Sequence, residues 1–439
     1  MRAVMSIVVG AAAAAALALA GPSAAAAAPG DGWGPEVRLA TSVDAAEPAL
    51  AAMSMDDDAV VGWTRETNSG SSARVRLRTG RRGAWSAPVV LGPGRLVALA
   101  MDLDGDALAL RAAGGPARAA RILRNGDVIA SALPSTGTGR LLGATLRQDG
   151  RAAAYVLRPG GVTIRLFVQA SPGGAWTKSG TDFTLPAPAA GLDLTASVNR
   201  AGAAVVAWVA PGRTLIGAAT HYSIGSQWKS LAAGLPSSQP VGPFVRFPTA
   251  VMGDGTAAAV TWSVSGSTFS EPDRGAGSFI RTGPGPTAEA TPLPTFGAVT
   301  GVAVSKLGTA MTAWTDPALG GDLFASRFAP VDADWPIGIR RLADGSNLEE
   351  GAFALTPAGS RLGPVILEAS LETGPGPDGH LAFARDSRGA PWGVPRALSF
   401  SRGTPSVVAG KRAALIALAV DDTGELVVRR YDLLPRGRR

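Results

Sequence analysis

Apolar residues come along this chain in runs of about six to eight, each broken by a turn. Leu192–Leu235 shows the unit in full. LDLTASV, AAVVAWVA, LIGAATHYS and WKSLAAGL are separated by NRAG, PGRT and IGSQ, so a turn follows each of the first three runs. The pattern returns at a spacing of about fifty residues. The second run of each repeat reads AVVGW (Ala59–Trp63), ALALR (Ala107–Arg111), AAAYVL (Ala152–Leu157), AAVVAW (Ala203–Trp208), AAAVTW (Ala257–Trp262), TAMTAW (Thr309–Trp314), GPVILE (Gly363–Glu368) and AALIAL (Ala413–Leu418), eight copies in all. Each follows a tight turn such as Asp104-Gly105, Asp149-Gly150 or Asp254-Gly255, pairs that reach the positive φ a hairpin needs.

Short, evenly punctuated strands at blade-length spacing predict an all-β chain. The expected architecture is a single β-propeller of about eight four-stranded blades, with seven as the alternative. The propeller is assigned to residues 33–435. Its blades are placed at 46–91, 96–134, 141–186, 192–236, 244–294, 296–343, 350–400 and 404–435, the last joined by 33–40.

The ten tryptophans sharpen this reading. Trp63, Trp208, Trp262 and Trp314 end second strands, while Trp85, Trp176, Trp228, Trp335 and Trp392 open fourth strands. Indoles at repeated slots are read as packing between blades. The tenth, Trp33, opens WGPEVRL, which matches WSAPVVL from Trp85. The last repeat offers only three strands, so the N-terminal segment is expected to supply its fourth and close the ring, removing two exposed edges.

Composition adds the setting. Residues 1–28 read as a secretory signal: Arg2, an apolar run from Ile7 to Ala20, then small residues fit for cleavage. That run is too short to span a membrane and no later one is longer, so a secreted or periplasmic protein without a membrane span is expected. The chain has no Cys, hence neither a disulfide framework nor a thiolate metal site. The net charge of +7 is carried almost wholly by Arg. Third strands alternate Arg with apolar residues, most clearly in Arg74-Val75-Arg76-Leu77-Arg78; Arg121, Arg165 and Arg429 fall in comparable places. Period two puts one face in water, so these arginines are expected to be solvated around the outer rim. Aromatic–Arg interleaving on one sheet face is missing, so nucleic acid is not expected as a partner.

Few residues point to chemistry. Asp102, Asp104 and Asp106 have the alternate-acid spacing of a calcium loop. They occupy the hairpin slot that other repeats fill without acids, and no Glu follows at the twelfth position; a hairpin turn is the preferred reading, with no cofactor expected and calcium as the alternative. The two histidines, His221 and His380, lack acids at zinc-ligand spacing, and His221 is expected on an exposed third strand. Glu368, at the end of an apolar second strand, and Asp316 are the carboxylates a glycoside-directed hydrolase or lyase would use near the funnel.

Loops carry the functional expectation. Connections between second and third strands read as long at Thr64–Ala73, Ser265–Ser278 and Leu371–His380, all opening on one face. Thr268, Phe269, Glu271, Asp273 and Arg274 form the most chemically varied lip of that face.

Asp386-Ser387-Arg388-Gly389-Ala390-Pro391-Trp392 resembles a degenerate Asp-box of the sialidase-type propellers, whose motif is Ser/Thr-x-Asp-x-Gly-x-Thr-Trp. Here the gap from Asp to Gly is one residue longer and Pro replaces Thr. The resemblance implies a propeller over nearly the whole mature chain. Catalytic members use an arginine triad and a Tyr nucleophile, but Tyr155, Tyr222 and Tyr431 sit in no matching motif, so no catalytic residue is carried over. The expected function is that of an exported, monomeric, non-catalytic scaffold binding a glycan or a protein through the long-loop face. A sialidase-like or other glycoside-directed enzyme is the alternative.

Overall fold

The computed structural model describes residues 33–44, 47–134, 139–188, 194–209, 215–221, 223–224, 226–230, 235–236, 249–251, 257–264, 274–281, 288–292, 299–304, 310–316, 322–329, 334–343, 348–355, 365–371, 379–385, 396–397, 406–410, 413–420 and 424–432. Their strands form eight antiparallel sheets, seven of which follow chain order from the first strand outward. The first blade begins at Leu50–Met53 and ends at Val89–Pro93. The second runs from Arg95–Met101 to Val128–Ala132, and the third from Arg140–Leu146 to Trp176–Thr184. In the fourth, which begins at Leu194–Val198, the outer edge is split between Lys229–Ser230 and Leu235–Pro236. The remaining blades begin at Thr249–Val251, Val299–Val304, Leu348–Leu355 and Ser406–Ala409.

The eighth blade takes its outer strand from the N-terminal side. Val37–Ala40 pairs with Glu425–Asp432, setting Val37 opposite Val428 and Arg38 opposite Val427. Trp33 makes a further bridge to Tyr431, and their rings meet edge-on at 5.0 Å. The strand expected to complete the last blade therefore does so.

The inner hairpins share one construction. Ser54, Asp102 and Asn199 stand at the same place, five residues before the second strand begins. In each, one side-chain oxygen accepts from the backbone N–H groups two and four residues on: Asp56 and Asp58, Asp104 and Asp106, Ala201 and Ala203. The residue three on adopts positive φ, as Asp57 (67°), Gly105 (89°) and Gly202 (84°), and Gly150 (77°), three on from Arg147, matches them. These turns thus satisfy their own donors and fix the strand register.

Buried apolar side chains fall into clusters shared by adjoining blades. Val60 and Leu77 of the first pack with Met101 and Ile122 of the second. Leu108 of the second packs with Phe167 and Trp176 of the third, and Tyr155 of the third with Trp208 of the fourth. Leu415 and Val428 of the eighth pack with Val61 and Trp63 of the first. Ala59, Ala107, Ala109, Ala152, Ala154 and Ala204 are all buried in second strands, where a larger side chain would overpack the boundary.

Two expectations fail. Thr64–Ala73 is not an open loop: Ala59–Thr67 and Gly70–Arg78 form one continuous hairpin, closed at Thr67 and Gly70, with Gly70 at φ 113°. The third-strand arginines are not uniformly solvated either. Arg78, Arg121 and Arg429 are buried: Arg121 reaches Asp102 of its own blade and the Gly150 carbonyl of the third, Arg429 the Gly34 carbonyl, and Arg78 lies over the Trp85 ring.

Candidate functional site

The hairpin side of the molecule gathers charge. Arg121, 5% exposed, donates from Nη2 to Asp102 (3.1 Å) and Asp106 (3.0 Å), and from Nη1 to the Gly150 carbonyl of the third blade (2.5 Å). Burial first, and the Asp106 charge with it, hold the Asp102 carboxyl above its usual range, against the opposing pull of the Asp106 N–H and Arg121. Both Asp102 oxygens are therefore engaged, one in the turn and one on Arg121, while Asp104 is exposed. Among the described residues no group of three or more acids and histidines could hold a metal ion. The acidic spacing is thus accounted for by a capped turn and an ion pair.

Adjoining blades are tied in the same way. Asp58 accepts from the Gly80 N–H and from Arg124 of the second blade (3.3 Å). Asp57 Oδ1 accepts from the Ala413 N–H of the eighth (3.2 Å). Arg200, its basicity lowered by burial, donates to the Met53 carbonyl, linking the inner hairpin of the fourth blade to the first.

His221, expected at the surface, is 1% exposed. Its Nδ1 lies 2.8 Å from the Tyr155 hydroxyl, and the Gly202 carbonyl lies 2.7 Å from the same hydroxyl, so its single proton faces two acceptors. Its Nε2 lies 2.9 Å from the Ser226 carbonyl, and Trp228 covers its ring at 5.1 Å. Because a carbonyl can only accept, Nε2 carries the imidazole proton. Burial lowers the His221 pKa and raises that of Tyr155. Such a pair resembles an acid–base couple in type, but its partners are backbone carbonyls of the fourth blade, and it fastens that blade to the third.

The residues singled out from sequence fall elsewhere. Thr268, Phe269, Glu271 and Asp273 lie outside the described residues; Arg274 opens the strand Arg274–Arg281, opposite Val264. Glu368 lies within the strand Val365–Leu371, opposite Ala352 on one side and Ala382 on the other. Asp316 ends its strand opposite Asp322, in the next blade back along the chain. The two carboxylates named for glycoside chemistry thus belong to different blades. His380 pairs with Ser370 in the seventh blade.

One cavity of about 390 Å³ opens between the eighth and first blades. Four arginines line it: Arg38 from the N-terminal strand, Arg76 and Arg78 from the first blade, and Arg430 from the eighth. Trp85 and Val37 add apolar wall, and no Asp or Glu is among the lining residues. Arg78 is 5% exposed, its guanidinium carbon 5.1 Å from the centre of the Trp85 ring. Burial, and then the Arg430 charge, pull its pKa down to about 10, with Asp432, Asp57 and Asp58 acting the other way. Sequence reasoning missed this site, since Arg430 meets Arg76 and Arg78 only where the eighth blade packs on the first, and Arg38 joins them only through the pairing of Val37–Ala40 with the last blade.

No protein-family model matches the sequence, and the search of curated proteins returns no match. Solved structures do resemble it. The Dos1 propeller aligns with a TM-score of 0.51 at 10% identity, covering 91% of this chain and 94% of that one. Sqt1 from Chaetomium thermophilum aligns at 0.48 and 11% identity, covering 90% and 99%. YCF48 bound to D1 peptide aligns at 0.46 and 11%, covering 94% and 99%. At 10% identity the likeness to the Dos1 propeller is one of fold, and with the eight sheets it defines a β-propeller repeat architecture. Among the described residues no helix is long and apolar enough to cross a membrane.

Proposed function

We propose that the chain is an exported, non-catalytic β-propeller, its ring sealed by the N-terminal strand, that binds an extracellular glycan or protein through the face bearing the connections between second and third strands. One observation carries this reading. The buried groups with the chemistry for catalysis, His221, Tyr155 and Asp102, are committed to holding blades together. The connections at residues 265–273 and 372–378, by contrast, spring from paired strand ends, Val264 with Arg274 and Leu371 with Gly379. The paired extension of the first blade, Thr64–Ala73, stands on the same face. A rigid scaffold that varies at its loops is the usual build of a binding surface.

The test is a glycan array and a pull-down on the mature protein, with a fluorogenic glycosidase and sialidase panel beside them. Capture that disappears on deleting residues 266–272, with the far-ultraviolet spectrum unchanged, is the expected result. Turnover abolished by Glu368→Gln would overturn the reading in favour of a glycoside-directed enzyme.

A further inference from the structure

The cavity between the eighth and first blades has more positive charge than its surroundings neutralise. Asp432 is shared by Arg430 Nη2 (2.9 Å) and Arg81 Nε (3.3 Å), and Glu425 holds Arg38 (3.1 Å). Arg430 spends its Nη1 on the Arg81 carbonyl. Arg78 is left with Nε and Nη2 buried and without a hydrogen-bond partner, and the Nε atoms of Arg76 and Arg430 are likewise buried and unpartnered. A guanidinium removed from water and denied partners is costly unless an anion joins it. Two such groups against each other raise that cost.

The geometry is one a carboxylate would relieve. Guanidinium forks match the two oxygens of a carboxylate in plane, and such charge-assisted bonds are the strong ones. The volume, about 390 Å³, lies in the range of small-ligand pockets rather than of macromolecular grooves. Its wall is mixed: beside the four arginines stand Trp85 and Val37, the latter 39% exposed. A bare inorganic ion would leave that apolar wall uncovered.

We infer that this cavity is a binding site for a compact organic carboxylate, its head held by Arg76, Arg78 and Arg430 and its ring-sized body resting against Trp85 and Val37. The site is built by the N-terminal strand and is separate from the loop face. Deleting residues 266–272 therefore leaves it intact, and failure of either assignment is visible without the other.

The experiment is calorimetric titration and thermal shift on the mature protein at low and matched ionic strength, using galacturonate, benzoate, galactose and sodium sulfate as probes. Galacturonate or benzoate is expected to bind and raise Tm, galactose to do neither, and sulfate to bind more weakly than the better carboxylate. Arg76→Gln should weaken carboxylate binding about tenfold or more, the loss of a hydrogen bond to a charged group. Arg78→Gln should abolish the ligand-induced shift while leaving the ligand-free Tm unchanged or higher, since it removes a buried guanidinium whose Nε and Nη2 have no hydrogen-bond partner and which the Arg430 charge opposes; a merely structural arginine would lower it. Sulfate matching both carboxylates would overturn the organic-ligand assignment. Absence of binding by both carboxylates, or binding that survives both substitutions, would overturn the site.

Discussion

The hydroxyl of Tyr155 and Nδ1 of His221 stand 2.8 Å apart across the boundary between the third and fourth blades. With its proton on Nε2, facing Ser226, the neutral imidazole presents a lone pair to a hydroxyl whose single proton also lies within reach of the Gly202 carbonyl. Removing the hydroxyl strips partners from two buried acceptors. Tyr155→Phe is expected to cost about 1–3 kcal/mol in urea unfolding. An unchanged midpoint would show that the contact is incidental.

The same cluster sets a pH dependence. Burial lowers the folded pKa of His221 from 6.5, so the unfolded chain binds a proton there before the folded one does. Stability from this group is full above 6.5 and is lost as pH falls toward the depressed folded value. Between about pH 7 and pH 5 the Tm should drop by roughly 1–3 °C more in the wild type than in His221→Asn. His380→Asn, the only other histidine change available, serves as the control. Equal slopes in His221→Asn and wild type would contradict the assignment.

Asp102 has two tasks that substitution can separate. Asparagine keeps the hairpin bonds, as Asn199 does in the fourth blade, but gives up the charge opposite Arg121. Alanine gives up both and leaves Arg121 buried beside Asp106 alone. Asp102→Ala is expected to cost about 3–5 kcal/mol, and Asp102→Asn clearly less, by chemical denaturation. An equal loss would mean that the turn bonds carry no weight.

Gly105 holds the left-handed position of that hairpin at φ 89°, and a Cβ there would run into the Asp58 carboxylate, which already serves Gly80 and Arg124. Gly105→Ala should destabilise by about 1–3 kcal/mol. Asp57 occupies the equivalent place in the first blade at φ 67° and spends its side chain on the Ala413 N–H, which is a reason for a non-glycine residue there.

Much of the scaffold was legible in the sequence because it repeats. The turn pairs Asp104-Gly105, Asp149-Gly150 and Ala201-Gly202 mark one backbone conformation, and the likeness of the Trp33 segment to the Trp85 segment identified the strand that completes the last blade. What was not legible depends on which end of a strand lies beneath a neighbour. The alternation of Arg74, Arg76 and Arg78 reveals two faces but not that Arg78 sits under the turn of Arg81 and Trp85, so it was read as solvated. Thr64–Ala73 looked like a loop because Arg65, Glu66 and Ser69 have no apolar partners; its strands are held by backbone pairing beyond the buried sheet. His221 carries no local sign of its burial, since the Tyr155 hydroxyl reaches it from the preceding blade, 66 residues back along the chain.

The pairing of Val37–Ala40 with Glu425–Asp432 completes the last blade and brings Val37, Arg38 and Leu39 to the wall of the arginine-lined cavity. The chain has no cysteine, so a pair introduced at register partners reports on this directly. Arg38→Cys with Val427→Cys should give an intramolecular link, by oxidation or a short thiol cross-linker, seen as a mobility shift that is absent when the reaction is run in urea and in either single variant. A folded double variant that forms no such link, or links equally well when unfolded, would contradict the account.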